Sequence, residues 1–230
     1  MSDAELARLS RPGDAIDAVI FDMDGVLADS EPLHQHAIRV LLAEYGVDWA
    51  SDGRDPTVGL TSLESFAVIC ARHALPHDPR RLDELYTARV LPLLRERVTP
   101  LPGVPDVPRT LLARGLRLGL ASSSGPEVIE TTLATLGVRP LFEVVVSGVE
   151  VARGKPAPDV FLEAAKRLGV TPGACVVVED SERGVRAARA AGMRCVAVPC
   201  AETRHHDFTD ATLVLPGLPD LLRCALFAER

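Results

Sequence analysis

Apolar positions along the chain fall into two alternating patterns. Short, almost continuously apolar runs occupy residues 18–21 (AVIF), 116–121 (LRLGLA), 144–146 (VVV), 175–178 (CVVV) and 195–198 (CVAV). Runs this short, rich in Val and punctuated by Gly, Pro or Asp, suit strands buried on both faces of a parallel sheet. Between them lie helical stripes. Val160, Phe161, Ala164 and Leu168 follow Pro158, which suits a first helical position, and precede Gly169, which suits a left-handed cap. Ser181 reads as an N-cap for a helix with Val185, Ala188 and Ala191 on one face and Gly192 at its end. This alternation predicts an α/β fold, a doubly wound parallel (Rossmann-like) sheet. Ligands in such folds sit beyond the C-terminal ends of the strands.

One stretch breaks the alternation. Residues 31–98 offer helical patterns, among them 34–45 and 63–73, and no buried strand. The return is marked by 99–103 (TPLPG), which reads as a stiff linker. The expected organisation is a core domain of residues 1–31 and 99–230 and an inserted α-helical cap of residues 32–98, with hinges near 30–33 and 98–102. A chain of 230 residues has room for one core and a modest insertion.

Composition narrows the function classes. A hydrophobic fraction of 47% with 25% charged residues fits a globular protein and argues against disorder. A net charge of −7 disfavours a nucleic-acid binder that must neutralise many phosphates. Cys70, Cys175, Cys195, Cys200 and Cys224 are scattered and form no C-x-x-C pair, so reduced thiols are expected. Residues 1–14 show no secretory pattern, and no run approaches the roughly 18–20 apolar residues of a membrane span. The expectation is a cytoplasmic protein with neither nucleic-acid nor membrane partner; oligomeric state is not legible.

Candidate chemistry clusters at strand ends. Asp22 and Asp24 are two apart on an extended chain, so both face one site just past the first strand, and Gly25 lets the backbone turn. A bare D-x-D-G is equally an acidic strand end before a turn. Glu179 and Asp180 form a second acidic pair after the run 175–178; alone they read as helix-capping acids. Four carboxylates at buried strand ends need a cation, and hard oxygen ligands suit Mg²⁺. Lys155 stands before a helix, but five residues separate Gly148 from Gly154 where a phosphate-binding G-x-x-x-x-G-K-[ST] loop has four, and Pro156 replaces its Ser/Thr. Ser122, Ser123 and Ser124 end the run 116–121; hydroxyls and free N–H groups at such a turn can hold phosphoryl oxygens, or simply cap a helix. No G-x-G-x-x-G follows the first strand.

Taken in order, Asp22-x-Asp24-Gly25-Val26-x-x-Asp29-Ser30, Ser122, Gly154-Lys155-Pro156 and Glu179-Asp180-Ser181 resemble the four motifs of the haloacid dehalogenase superfamily, from about Val19 to Val198. DGVLADSEPLH and the helical insertion resemble its beta-phosphoglucomutase-like and phosphogluconate or phosphoglycolate phosphatase-like branch. The acid at position 24, which dehalogenase members lack, implies phosphoryl transfer. The resemblance implies Asp22 as nucleophile forming an aspartyl-phosphate, and Asp24 as acid and then base. It implies Mg²⁺ held by Asp22, the Asp24 carbonyl, Glu179 and Asp180, with Lys155, Ser122 and Ser123 on the phosphate. Like-charged neighbours are expected to raise the Asp24 carboxyl while Lys155 and metal favour ionised Asp22.

In the insertion, His34 of SEPLH matches a histidine of the mutase-like members, and reads equally as a helix polar residue. Residues 59–62 (GLTS) read as a loop facing the site, and Arg89 as a contact for substrate phosphate or carboxylate. His205-His206 lacks a third ligand nearby and reads as a surface loop. The resulting expectation is a Mg²⁺-dependent phosphatase of a small phosphorylated metabolite. The alternatives are a mutase-type isomerase, disfavoured by the absence of arginine in 59–65, and a non-catalytic binding module.

Overall fold

The structure, a computed structural model, describes residues 15–49, 57 and 60–227. Residues 1–14 and Gly59 of the expected loop lie outside them. Strand β1 (Ala18–Phe21) is buried along its whole length because strands cover both of its edges and helices both of its faces. β4 (Arg117–Ser122) and β6 (Cys175–Glu179) flank it in parallel, with Phe21 in register with both Leu120 and Val178. β5 (Val144–Ser147) lies outside β4; β7 (Arg194–Ala197) and β8 (Leu213–Val214) lie outside β6. Among the described residues the six strands run β5-β4-β1-β6-β7-β8, all pairs parallel. The winding reverses at β1, and a crevice opens there at the strand C-termini.

Period-2 alternation sorts the sheet's side chains. Val19 and Phe21 pack on one face with α4 (Asp106–Ala113) and α5 (Pro126–Thr135); Ala18 and Ile20 pack on the other with α6 (Asp159–Leu168) and α7 (Glu182–Ala190). Pro158 sits one position earlier than expected, at the N-cap of α6, and Gly169 closes that helix at φ 64°. The Ser181 hydroxyl accepts from the Gly184 N–H at 3.1 Å and caps α7.

Three described helices interrupt this core between the first two motifs: α1 (Glu31–Ala43), α2 (Ser62–His73) and α3 (Pro79–Arg97). Leu82, Tyr86, Val90 and Leu94 form the buried stripe of α3 at i, i+4 spacing, against α1 and α2. A capping box between Thr61 and Glu64 starts α2, so Thr61 and Ser62 belong to a helix start. The expected linker is also partly regular. Thr99–Pro100 (β3) pairs antiparallel with Ala28–Asp29 (β2), tying the chain's exit into the insertion to its return. Among the described residues, no helix is long and apolar enough to cross a membrane.

Candidate active site

The floor of the site grows out of the sheet register. The Asp22 N–H donates to the Val178 carbonyl at 2.9 Å, extending the ladder past β1 and setting the Asp22 side chain between the ends of β4 and β6. Gly25 then turns at φ 77°, and a Cβ there would come within 2.4 Å of Asp180 Oδ2. Both the left-handed backbone and the close approach demand glycine.

Lys155 is the pivot. The residue is 3% exposed, and its ammonium donates to Asp22 Oδ1 at 2.5 Å, Glu179 Oε1 at 2.7 Å and the Ala121 carbonyl at 3.2 Å, using all three donors. Burial acts to lower its pKa, but the two carboxylates outweigh it and the net direction is up. The Phe161 ring centroid lies 4.9 Å from Nζ. Glu179 is equally engaged on its other oxygen: Oε2 accepts from the N–H groups of Asp180 (2.9 Å) and Ser181 (2.8 Å) and from the Ser181 hydroxyl (2.9 Å). A Cβ at Gly184 would fall 1.7 Å from Glu179 Oε1, so glycine at the start of α7 makes room for this carboxylate.

Asp24 is held differently. Its Oδ1 accepts from the Ser30 hydroxyl at 2.5 Å and faces His34 Nε2 at 3.3 Å; its Oδ2 accepts from Ser124 at 2.9 Å and Ser122 at 3.4 Å. Burial acts to raise the Asp24 carboxyl, yet His34 and the serine hydroxyls prevail and the net direction is down. For Asp22 burial dominates: it pushes the carboxyl up to about 8, Glu179 and Asp24 add to this, and Lys155 only partly opposes it. The Asp180 carboxyl is also pushed well up, first by burial and then by Glu179 and Asp22. Among the protein groups alone Asp24 is therefore lowered where its acidic neighbours were expected to raise it, because hydrogen-bond donors converge on it; Asp22 is raised by burial, and its expected ionisation depends on the cation.

The inserted helices roof this floor. His34 on α1 is buried, and its Nδ1 lies 2.5 Å from the Tyr86 hydroxyl on α3. Tyr86 packs edge-on against Phe66 of α2, ring centroids 5.5 Å apart. Asp22, Asp24, Ser122, Ser123, His34 and Lys155 line one cleft, as do Glu179 and Asp180. Arg89 does not: it faces Glu44 at 2.7 and 2.8 Å and donates to the Leu85 carbonyl, because its position on α3 lies off the buried stripe. Arg89, expected to contact substrate, is thus not among the residues that line this cleft. His206 Nδ1 accepts from the Glu182 N–H at 3.3 Å at the start of α7. Ser30, Tyr86, Cys200 and Thr203 also line or support the cleft without having been singled out; the last two donate to Asp180 Oδ2 at 3.3 and 3.2 Å.

The expected metal set is the side chains of Asp22, Glu179 and Asp180 together with the Asp24 backbone carbonyl. Among the described residues no three His, Cys, Asp or Glu side chains form a ready-made cage. Glu179 is taken up by Lys155 and α7, and the Asp24 side chain by its serines and His34. Of the carboxylates Asp22 and Asp180 are the least engaged, with the Asp24 carbonyl beside them in sequence; both carboxyls are pushed up first by burial and then by neighbouring acids. This donor set fits Mg²⁺, which binds through one or two carboxylates and completes its shell with water and substrate oxygens.

A doubly wound sheet with buried carboxylates and an ammonium at its switch point defines an α/β enzyme built for attack on an anionic centre. The chain belongs to the haloacid dehalogenase-like hydrolase family, which it matches over residues 16–192. It is similar to the fructose-1-phosphate phosphatase YqaB of Escherichia coli (strain K12), 39% identical over 180 residues, 78% of this chain and 95% of that one. It is 36% identical over 209 residues, 88% of this chain, to the bifunctional riboflavin kinase/FMN phosphatase of Arabidopsis thaliana, and spans about half (54%) of that protein's length. Its fold superposes on CbbY from Rhodobacter sphaeroides, solved in complex with phosphate, with TM-score 0.82 and 32% identity, covering 90% of this chain and 96% of that one. The chain is an enzyme, a phosphoric monoester hydrolase of the haloacid dehalogenase type.

Proposed function

We propose that the protein is a Mg²⁺-dependent phosphatase of a small sugar monophosphate, acting through an aspartyl-phosphate on Asp22. The observation that carries this reading is the buried pair Lys155–Asp22 at 2.5 Å at the C-terminal end of β1, with Asp24 two residues on. Relatives named for fructose 1-phosphate and hexitol phosphates support the substrate class.

In this reading residues 1–31 and 99–230 form the core, and residues 32–98 form a cap that excludes water over the site. An Asp22 oxygen attacks phosphorus in line, and the bond to the leaving oxygen breaks. Lys155 orients Asp22 and faces the phosphate, held in turn by Glu179; Ser122 and Ser123, at the end of β4, bind phosphoryl oxygens. Asp22, the Asp24 backbone carbonyl and Asp180 would hold the cation, which when bound would supply positive charge that ionises Asp22 and offsets its repulsion from the phosphate. Asp24 passes a proton to the leaving oxygen. The His34 ring, pushed down by burial but up more strongly by Asp24 and Glu31, keeps that proton at Nε2 beside Asp24 Oδ1. Asp24 then takes a proton from the water that releases phosphate and restores Asp22. Hydrolysis is favoured over mutase-type transfer because 59–65 carries no arginine for a second phosphate.

The test is phosphate release from a panel of sugar phosphates with Mg²⁺, with Asp22→Asn alongside. Turnover by the unaltered enzyme, with neither turnover nor phosphoenzyme in the variant, is the expected result. Mg²⁺-dependent turnover by Asp22→Asn overturns the nucleophile.

A further inference from the structure

The α3 residue that reaches the site is Tyr86, not the arginine one turn further on. Its hydroxyl lies 2.5 Å from His34 Nδ1, both side chains are buried, and His34 Nε2 faces Asp24 Oδ1 at 3.3 Å. Three side chains from α1, α3 and the β1 end thus form one line from the roof to the floor. The Tyr86 ring is anchored on Phe66, so its hydroxyl is a fixed point for the histidine.

An imidazole offers two nitrogens, and the partner of one decides how the other is presented. A carboxylate oxygen is an acceptor, so His34 serves Asp24 only with a hydrogen on Nε2. A phenol can donate to Nδ1 or accept from it, so Tyr86 satisfies that nitrogen in either state without turning the ring. A guanidinium or ammonium could only donate. On Asp24, Ser30, Ser122 and Ser124 come from the hinge and from β4 and the loop after it, whereas His34 is the contact from the inserted helices. Among the described residues the link between the roof and Asp24 therefore passes through His34, while the serines hold the carboxylate from the hinge and the core.

We propose that Tyr86 is a positioning residue for proton transfer to the leaving group, acting on Asp24 through His34. This rests on the phosphatase reading and on Asp24 as the acid. The proposal ties Tyr86 to one step only, protonation of the departing oxygen. An alkoxide needs that proton, whereas nitrophenolate leaves without it.

The test compares kcat/KM, which reports steps through departure of the leaving group, for fructose 1-phosphate and p-nitrophenyl phosphate with Mg²⁺. Tyr86→Phe retains the ring against Phe66 and deletes the hydroxyl. The expected result is a fall on fructose 1-phosphate about tenfold larger than the fall on p-nitrophenyl phosphate, a part of the ~10²–10⁴ that general acid catalysis supplies. In a His34→Gln background the same substitution changes the ratio by less than about twofold, since residues acting through one another are not additive. Equal falls on the two substrates, with a lowered melting temperature, mark a packing role and overturn the proposal. Kinetics like the unaltered enzyme, or an undiminished effect in the His34→Gln background, overturn it too. Failure of the phosphatase reading looks different: the unaltered enzyme then turns over neither substrate.

Discussion

Floor and roof of the cleft are built on opposite principles. The floor is made of groups closely bonded to one another: Lys155 spends its three donors on Asp22, Glu179 and a backbone carbonyl, and Glu179 takes three more donors from the start of α7. Among the described residues the roof meets Asp24 through a longer contact, 3.3 Å from His34, and its other cleft residues are of mixed character, among them Glu31, Gln35, Ile38, Ser65, Phe66 and Tyr86. The floor couples catalysis to stability. The roof supplies alignment and selectivity at little cost to the fold.

The sharpest way to break this contrast is at its centre. Asp22→Asn is expected to lower kcat by at least about 10⁴-fold, the scale of losing a nucleophile, while far-ultraviolet circular dichroism stays unaltered. Lys155→Met is expected to destroy activity and also to destabilise. It leaves Asp22 and Glu179 buried without their cation, a loss of about 3–5 kcal/mol, readable as a melting temperature lower by roughly 10 °C. If Lys155→Met melts like the unaltered protein, the floor is not the stabilising unit described.

A gentler probe is pH. The folded-state pKa of Asp22, raised from 3.8 to about 8, means that its stabilising contribution is full below about pH 4 and is lost as pH rises through 8. Chelator-treated protein should therefore gain more from Asp22→Asn at pH 8 than at pH 5 in urea melts, and Mg²⁺ should narrow that difference. At the roof, the raised His34 contributes below its unfolded value of 6.5 and loses that contribution as pH rises through its higher folded value. His34→Gln should flatten this alkaline part of the profile alone. The smallest effect belongs to Arg89→Ala. Its partner Glu44 is exposed, so the pair contributes less than about 1 kcal/mol and kcat/KM should not move; a large fall in kcat/KM would return Arg89 to the site.

The same contrast explains what could be read from the residues alone. Asp22, Ser122 and Glu179 were legible because each ends a short apolar run, and the parallel register brings strand ends together. Tyr86 was not, because which face of a helix turns inward is decided by its neighbours: Leu82, Tyr86, Val90 and Leu94 face the other inserted helices, and Arg89 falls just off that stripe. β2, β3 and β8 each hold two residues, too few to show a period. The direction at Asp24 was misread for a related reason. Neighbouring acids can be counted along the chain, but the convergence of Ser30, Ser124 and His34 on one carboxylate is a product of the fold.

The pairing of Ala28 with Pro100 and Asp29 with Thr99 makes the insertion modular. Antiparallel partners lie only about 5 Å apart, so everything between them leaves and re-enters the core through adjacent points on one short ribbon. A different helical segment with closely spaced ends is expected to fit between Asp29 and Thr99 if it also covers α5, against which α3 packs. The ribbon is thus a natural exchange joint, at which a new leaving-group preference can be grafted onto an unchanged phosphate-handling sheet.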